Sequence, residues 1–366
     1  MLRLRLLIPV VAGMACAAAG FLIWPQVHQA ATVLAAQDDP AELSDIRLRT
    51  DARLDDAAVQ SEIDQALANH DTDMAQSFVS LAIDQGVFVD LDRAKRVSQA
   101  VADDHAPVHL AKRFATGFVT GETTDLASIS GTVAGDLFVF GDIRDVVREG
   151  KHLAFGEETD HLVLGLASAG IAVTAATYMS GGTAAPVRAG LSVVKGARKA
   201  GRLGSGLVEW TGRTMRDAVD APLLQNAVLS APMARPGKTV EAIKAAFRVD
   251  KAAGIIRLGK DVSRVSTSAG PRAALDTLKI SEGPADVARA ARLAESKGGS
   301  TRAVLKVLGR GALLMTAGAF NLSMWLFSAL MLAFGFLGSI KATTERLTQA
   351  WCDRRRVRQA AAAGIA

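Results

Sequence analysis

The chain has 366 residues, 49% hydrophobic but only 5% aromatic, and a formal charge of +5. Four Trp, one Tyr and ten Pro leave little of the β-branched, aromatic, turn-rich texture of a sandwich or barrel, so a mainly α protein is expected. The charge is unevenly divided: Asp38 to Asp160 holds 25 acidic and 11 basic residues, and Val187 to Arg310 holds 23 basic and 10 acidic ones. Two regions of −14 and +13 either face different surroundings or bind each other.

In chain order, residues 1–36 open with "MLRLR" and an apolar run from Leu6 to Trp24. Nineteen such residues about cross a ~30 Å hydrocarbon core at 1.5 Å per residue. The run exceeds a cleavable signal's apolar region, and the small-residue site near Ala36 lies far beyond it, so an uncleaved signal anchor is expected. Arg3 and Arg5 put its start in the cytoplasm. Gly13 stands where lipoprotein processing before Cys16 would want a Leu-like residue.

Residues 37–161 read as an acidic set of short amphipathic helices, expected to be extracytoplasmic. Val59, Ile63, Ala66 and Leu67 share one face, and Met74, Phe78, Leu81 and Ala82 share another. Gly86 ends the second helix, and Asp90 caps a third carrying Ala94, Val97 and Val101.

Residues 162–186 carry no charge and read as a small-residue-rich transmembrane or re-entrant helix. Ser168, Ala172, Ala176 and Ser180 recur every four residues, a row that lets helices approach closely within lipid. Acidic Glu157, Glu158 and Asp160 precede the segment, and basic Arg188, Lys195, Arg198, Lys199 and Arg202 follow it. Residues 187–311 read as a basic, membrane-surface helical region. Arg188, Lys195, Lys199 and Arg202 fall on one helical face beside an apolar row of Val187, Leu191 and Val194, a pattern suited to anionic lipid headgroups. Basic pattern alone does not separate lipid from nucleic acid, but aromatic interleaving is nearly absent, so no nucleic acid is expected. "KGGSTRAVLKVLGRG" brings further positive charge to the last apolar stretch.

Residues 312–340 hold 29 consecutive uncharged residues, long enough for a tilted span. Asn321 lies toward its middle and would seek an interhelical partner. Residues 341–366 are a basic tail. Three spans put the acidic region outside and the basic region inside, but leave that tail on the unfavoured side. Two spans make the tail cytoplasmic and everything from Pro25 to Gly311 external. Two or three transmembrane helices are expected, with three preferred.

No cofactor, metal or catalytic constellation is expected. His105 and His109 stand four apart beside Asp103 and Asp104, but Pro107 interrupts them, and Ala106 occupies the place of a zincin's Glu. "PMARPGKT" has Pro232 where a phosphate loop needs its first glycine, and Ser168 in "GLASAG" has the wrong spacing for a nucleophile elbow.

Phe140, Gly141, Asp142, Arg144, Gly156, Glu157 and Lys195 follow an order that resembles the hydrophobic pretoxin module of bacterial polymorphic toxins. The resemblance spans roughly residues 136–204 and departs at Phe155, where the module usually has Thr; no toxin domain follows. It implies a segment that enters or crosses a membrane. The expectation is a non-enzymatic, multi-pass protein of a bacterial inner membrane, with the lipid bilayer, anionic headgroups and an unidentified protein as partners. It would act as a scaffold or assembly component through helical contacts; the alternative is a membrane-translocating or membrane-perturbing protein related to toxin delivery.

Overall fold

The computed structural model describes residues 2–50, 54–104, 132–179, 182–220, 222–224, 226, 241, 245–314 and 318–364. These are almost all helical; the β-pairing among them is a single antiparallel bridge between Val219 and Phe247. The chain forms two compact units, one from Met1–Asp38 with Met315–Ala366, the other from Asp39–Leu314.

The first unit is a helical hairpin of α1 (Leu2–Ala35) and α14 (Gly318–Ala363). Both contain stretches long and apolar enough to cross a membrane, Ile8–Ala35 and Met324–Gln359, and no part of the latter's most apolar window is buried. Pro9 and Pro25 lie inside α1. The Ser339 hydroxyl donates to the Pro9 carbonyl. A side chain on Gly13 would meet Ser339, and one on Gly335 would come within 3.2 Å of Cys16 Sγ. Moving forward along α1 thus moves backward along α14, so the pair is antiparallel. Small residues let the two helices approach, as they do where apolar drive between helices is weak.

α14 runs past the expected boundary at Ile340 because the following residues to Ala363 contain no Gly or Pro to end a helix. Antiparallel packing brings Arg3 and Arg5 to the same end of the hairpin as Arg346 and Arg354. Asn321 lies near the start of α14.

The second unit begins with the acidic helices α2 (Pro40–Thr50), α3 (Asp56–Ala68), α4 (Thr72–Gln85) and α5 (Leu91–Asp104). Their periodicity is realised: Val59, Ile63, Ala66, Phe78, Leu81, Ala82 and Val97 are buried. Asp55 and Asp71 cap α3 and α4, each accepting from a backbone N–H three residues on. Gly86 closes α4 in the left-handed conformation at φ 68°.

Next come α6 (Thr132–Phe155), α7 (His161–Met179), α8 (Ala185–Lys199) and α9 (Ser205–Ala218), then α10 (Ala253–Ala269), α11 (Pro271–Ile280), α12 (Pro284–Lys297) and α13 (Thr301–Leu308). α10 is central, packed against α8, α11 and α12. It crosses α8 at two glycines: a Cβ on Gly190 would stand 1.7 Å from the Gly259 carbonyl oxygen. Apolar side chains of α3, α4, α7, α8, α10 and α12 join in one buried cluster.

This arrangement corrects the preferred three-span partition. α7 was expected to lie in lipid, yet residues 162–174 are buried inside the second unit, packed on α6, α8 and α9. A Cβ on Gly165 would meet Met215 of α9 at 2.6 Å. The physical reason is that an Ala/Gly-rich apolar helix satisfies a protein core as well as a bilayer, and hydropathy does not distinguish the two. The acidic and basic regions, expected on opposite sides of a membrane, form one folded unit. It holds 34 of the 42 basic and 34 of the 37 acidic residues, so the whole formal charge of +5 resides in the hairpin unit.

Candidate functional site

The two oppositely charged regions meet through ion pairs, and these define the candidate site. On α6, Asp142, Asp145 and Glu149 are spaced three and four apart, which puts three carboxylates on one helical face. All three are buried. On α8, Lys195 and Lys199 are four apart and face them. Lys195 Nζ binds Asp142 Oδ1 and lies 3.1 Å from Asp145 Oδ2, while Lys199 Nζ reaches the same Asp145 oxygen at 2.7 Å. Arg198 contacts Asp160 Oδ2 at 3.1 Å, and Asp160 caps α7 by accepting from the Leu162 and Val163 N–H groups. Glu149 accepts from the Asp160 N–H at 3.0 Å. The apolar helix α7 is thereby fixed at its start by Glu149 of α6 and Arg198 of α8, next to the charges that join those two helices.

The two central aspartates are shifted in opposite directions. Burial pushes the Asp142 carboxyl up, and the neighbouring Lys195 and Arg188 charges only partly oppose this. Burial also acts on Asp145, but the hydrogen bond from Lys199 and the Lys195 charge outweigh it and hold that carboxyl below the usual range. Asp142 has little room: a Cβ on Gly170 of α7 would lie 2.3 Å from its Oδ2.

A second node ties α4 to α11 and α13. Arg302 is buried; its two Nη atoms grip Asp71 at 2.7 and 3.0 Å, and its Nε donates to Asp276 Oδ2 at 2.8 Å. Asp276 also receives Arg202 at 2.9 Å, and Arg272 reaches Asp73 at 3.2 Å. Burial raises the Asp71 carboxyl, but the Arg302 fork more than offsets it, leaving it below the usual range. Lys297 with Asp45 and Lys306 with Glu62 add two further links of the same polarity. These two, like Arg302 with Asp71 and Arg272 with Asp73, put a base from the basic region on an acid from the acidic one, whereas Asp276 belongs to the basic region itself. The arrangement joins and orients helices; Asp145 offers no open face for a substrate.

The residues expected at a membrane surface are therefore placed otherwise. Lys195, Lys199 and Arg202 are committed to carboxylates within the protein, and Arg188 is buried. The physical reason is complementary spacing: the basic face of α8 meets the acidic face of α6 at matching intervals. "KGGSTRAVLKVLGRG" likewise runs from the end of α12 through α13 and a 3-10 turn within the second unit, with Arg310 on Asp286 at 2.8 Å, instead of anchoring the last span.

Of the expected packing row, Ser168 is buried and donates to the Leu164 carbonyl within α7, and Ala172 is buried. Ala176 lies in α7, and Ser180 lies outside the described residues. Small residues also mediate close approach at Gly13 with Ser339 and at Gly190 with Gly259. For the hairpin the signal is Gly335 and Ser339, four apart in the last apolar stretch, continued by Thr343 just past it. Ser339 and Thr343, with Gly13 and Ala17, border a shallow groove of the hairpin.

Among the described residues no cluster of three or more metal-ligating side chains occurs; His105, His109 and residues 232–239 lie outside them. Asp142 and Lys195, two residues of the pretoxin-like pattern, are ion-paired. The chain matches no family model, no curated protein and no solved structure.

Proposed function

We propose that this chain is a membrane-anchored, non-enzymatic assembly component. The α1–α14 hairpin is the anchor in a bacterial inner membrane, and Asp39–Leu314 is an extracytoplasmic helical body that works through protein contacts. The observation that carries this reading is the separation of charge from apolar length. Two long apolar helices pair antiparallel with Arg3, Arg5, Arg346 and Arg354 at one end, where the positive-inside bias wants them. The chain leaves and re-enters the hairpin at the other end. The remaining 34 basic and 34 acidic residues are balanced within one unit, which no longer needs a membrane to divide them.

The alternative, a translocating or membrane-perturbing protein, rests on the pretoxin-like residues and on the uncharged length of α7. Against it, releasing α7 into lipid would break the α6–α8 ion pairs and leave buried carboxylates unpartnered, an expensive step.

One experiment separates the two. A reporter active only outside the cytoplasm is fused after Gly121, after Val240 and at the C-terminus. Activity at the first two junctions and none at the third is expected. An inactive fusion at Val240 would restore α7 as a membrane span and overturn the two-helix anchor.

A further inference from the structure

Large apolar side chains are seldom left in water by the second unit. Six are more than half exposed among its described residues, and three of these, Ile83, Phe88 and Leu91, fall within nine residues of chain. They sit at one end of a three-helix arrangement. The Phe88 N–H donates to Asp56 Oδ1 at 3.1 Å, which sets the α4–α5 connection against the start of α3. The Thr72 hydroxyl donates to Asp104 Oδ2 at 3.0 Å, so α5 runs back along α4 and its first residue, Leu91, lies by the end of α4. Ile83 belongs to the last turn of α4.

The exposure of Phe88 is built into the backbone. Gly86 turns the chain out of α4, and the Val87 N–H closes the turn on the Ala82 carbonyl at 2.9 Å. Val87 and Val89 both pack on the main core. In an extended segment, alternate side chains point to opposite sides, so Phe88 between them is held outward and is 65% exposed.

Carboxylates surround the three apolar residues. Asp55, Asp56, Asp84, Asp90 and Asp92 are all exposed. The acids on the faces toward the basic region, Asp45, Glu62, Asp71 and Asp73, are neutralised by Lys or Arg. At the corner, Arg93 and Arg96 are turned to Asp64, and Lys95 reaches Asp92 only at 3.8 Å between two exposed side chains, so the five carboxylates outnumber that lysine. An apolar centre inside a predominantly acidic ring fits an apolar centre flanked by the opposite sign.

We propose that this corner docks a segment of a partner protein that presents an apolar side chain flanked by Lys or Arg, with Phe88 as the central contact. This deepens the reading of the second unit as the contact-making part, and it is tested independently of membrane topology. The purified full chain, held in neutral-lipid discs, is titrated with three fluorescent peptides: an amphipathic Leu/Lys helix, its Leu/Glu counterpart and a Ser/Lys peptide of equal charge. Saturable binding of the Leu/Lys peptide is expected, with the other two at least about tenfold weaker. Phe88→Ser with Leu91→Ser, and separately Asp90→Asn with Asp92→Asn, are each expected to weaken it by about tenfold, the loss typical of a central anchor. The altered side chains are exposed and Asn still caps a helix, so unchanged circular dichroism is expected in both variants. Leu/Lys binding that ignores the Phe88 and Leu91 changes overturns the proposal, as does equal binding of the Leu/Glu peptide. Self-association of the wild type that the serine variant abolishes assigns the corner to a second copy of the chain and also overturns it.

Discussion

Asp142 and Asp145 stand one helical turn apart on α6 and share Lys195, yet they carry opposite pH signatures. The Asp145 carboxyl is held below its ordinary 3.8 in the folded chain, so its contribution is fully present above that value and is lost as pH falls through the lowered one. The Asp142 carboxyl is raised, so its ionisation works against the fold, and that cost is relieved as pH falls. Asp145→Asn breaks a buried contact to two lysines, and a loss of about 3 kcal/mol near pH 7 is expected, the lower end for a broken buried pair. Asp142→Asn replaces a carboxyl that burial already drives toward neutrality, and Lys195 keeps Asp145; a loss below about 1 kcal/mol is expected, the size of an ordinary net hydrogen bond. Urea unfolding at pH 7 and again near pH 3.5 checks both. The gap between wild type and Asp145→Asn should narrow in acid, and equal effects of the two substitutions would refute the assignment. None of this was legible residue by residue, although Asp142, Asp145, Glu149, Lys195 and Lys199 show their intervals in the sequence. A lysine reads the same whether it meets a headgroup or a carboxylate fifty residues away.

Element by element, the sequence was more informative where burial is one-sided. The faces of α3, α4 and α5 followed from apolar spacing, and Gly86 marked the end of α4, because short-range periodicity and a left-handed cap are local properties. α7 was misread because its apolar character is the same in both solvents. What decides its place lies on other helices: Met215 against Gly165, and Asp142 against Gly170. The crossing of α8 and α10 gives the sharpest test of packing at this scale. A methyl at Gly190 would overlap the Gly259 carbonyl oxygen at 1.7 Å, and a backbone atom cannot swing aside as a side-chain tip can. Gly190→Ala should therefore force the helices apart, costing about 3 kcal/mol or more, the upper range for overpacking. Gly141, also helical, meets nothing within 4 Å, so Gly141→Ala should stabilise by roughly 0.5–1 kcal/mol through helix propensity alone. Thermal melts of the two variants should move in opposite directions. A Gly190→Ala protein as stable as wild type would show that the two helices do not cross there.

For the whole molecule, the same charge count supports two different architectures. A balance of −14 against +13 can be kept apart by lipid or cancelled by contact, and the sequence offered both. The contact solution has a consequence that the partition lacks: Asp39–Leu314 should not need a bilayer. Its core is continuous from the acidic helices through α7 to α13, its charges balance, and the uncharged helix α7 is packed among α6, α8 and α9. Burial of that helix also removes the exposed apolar surface that would otherwise demand detergent. Residues 39–314 expressed alone are expected to stay in solution without detergent, to give a helical circular dichroism spectrum and to unfold in one cooperative transition. With formal charge near zero, that fragment should be least soluble near neutral pH and gain solubility on either side. The hairpin helices, carrying exposed Phe21, Leu22, Phe327, Leu330 and Phe334, should partition with detergent when attached. If the fragment instead requires detergent, and releasing α6 from α8 with Asp145→Asn makes no difference to that requirement, then α7 belongs in lipid and the charged regions are divided after all.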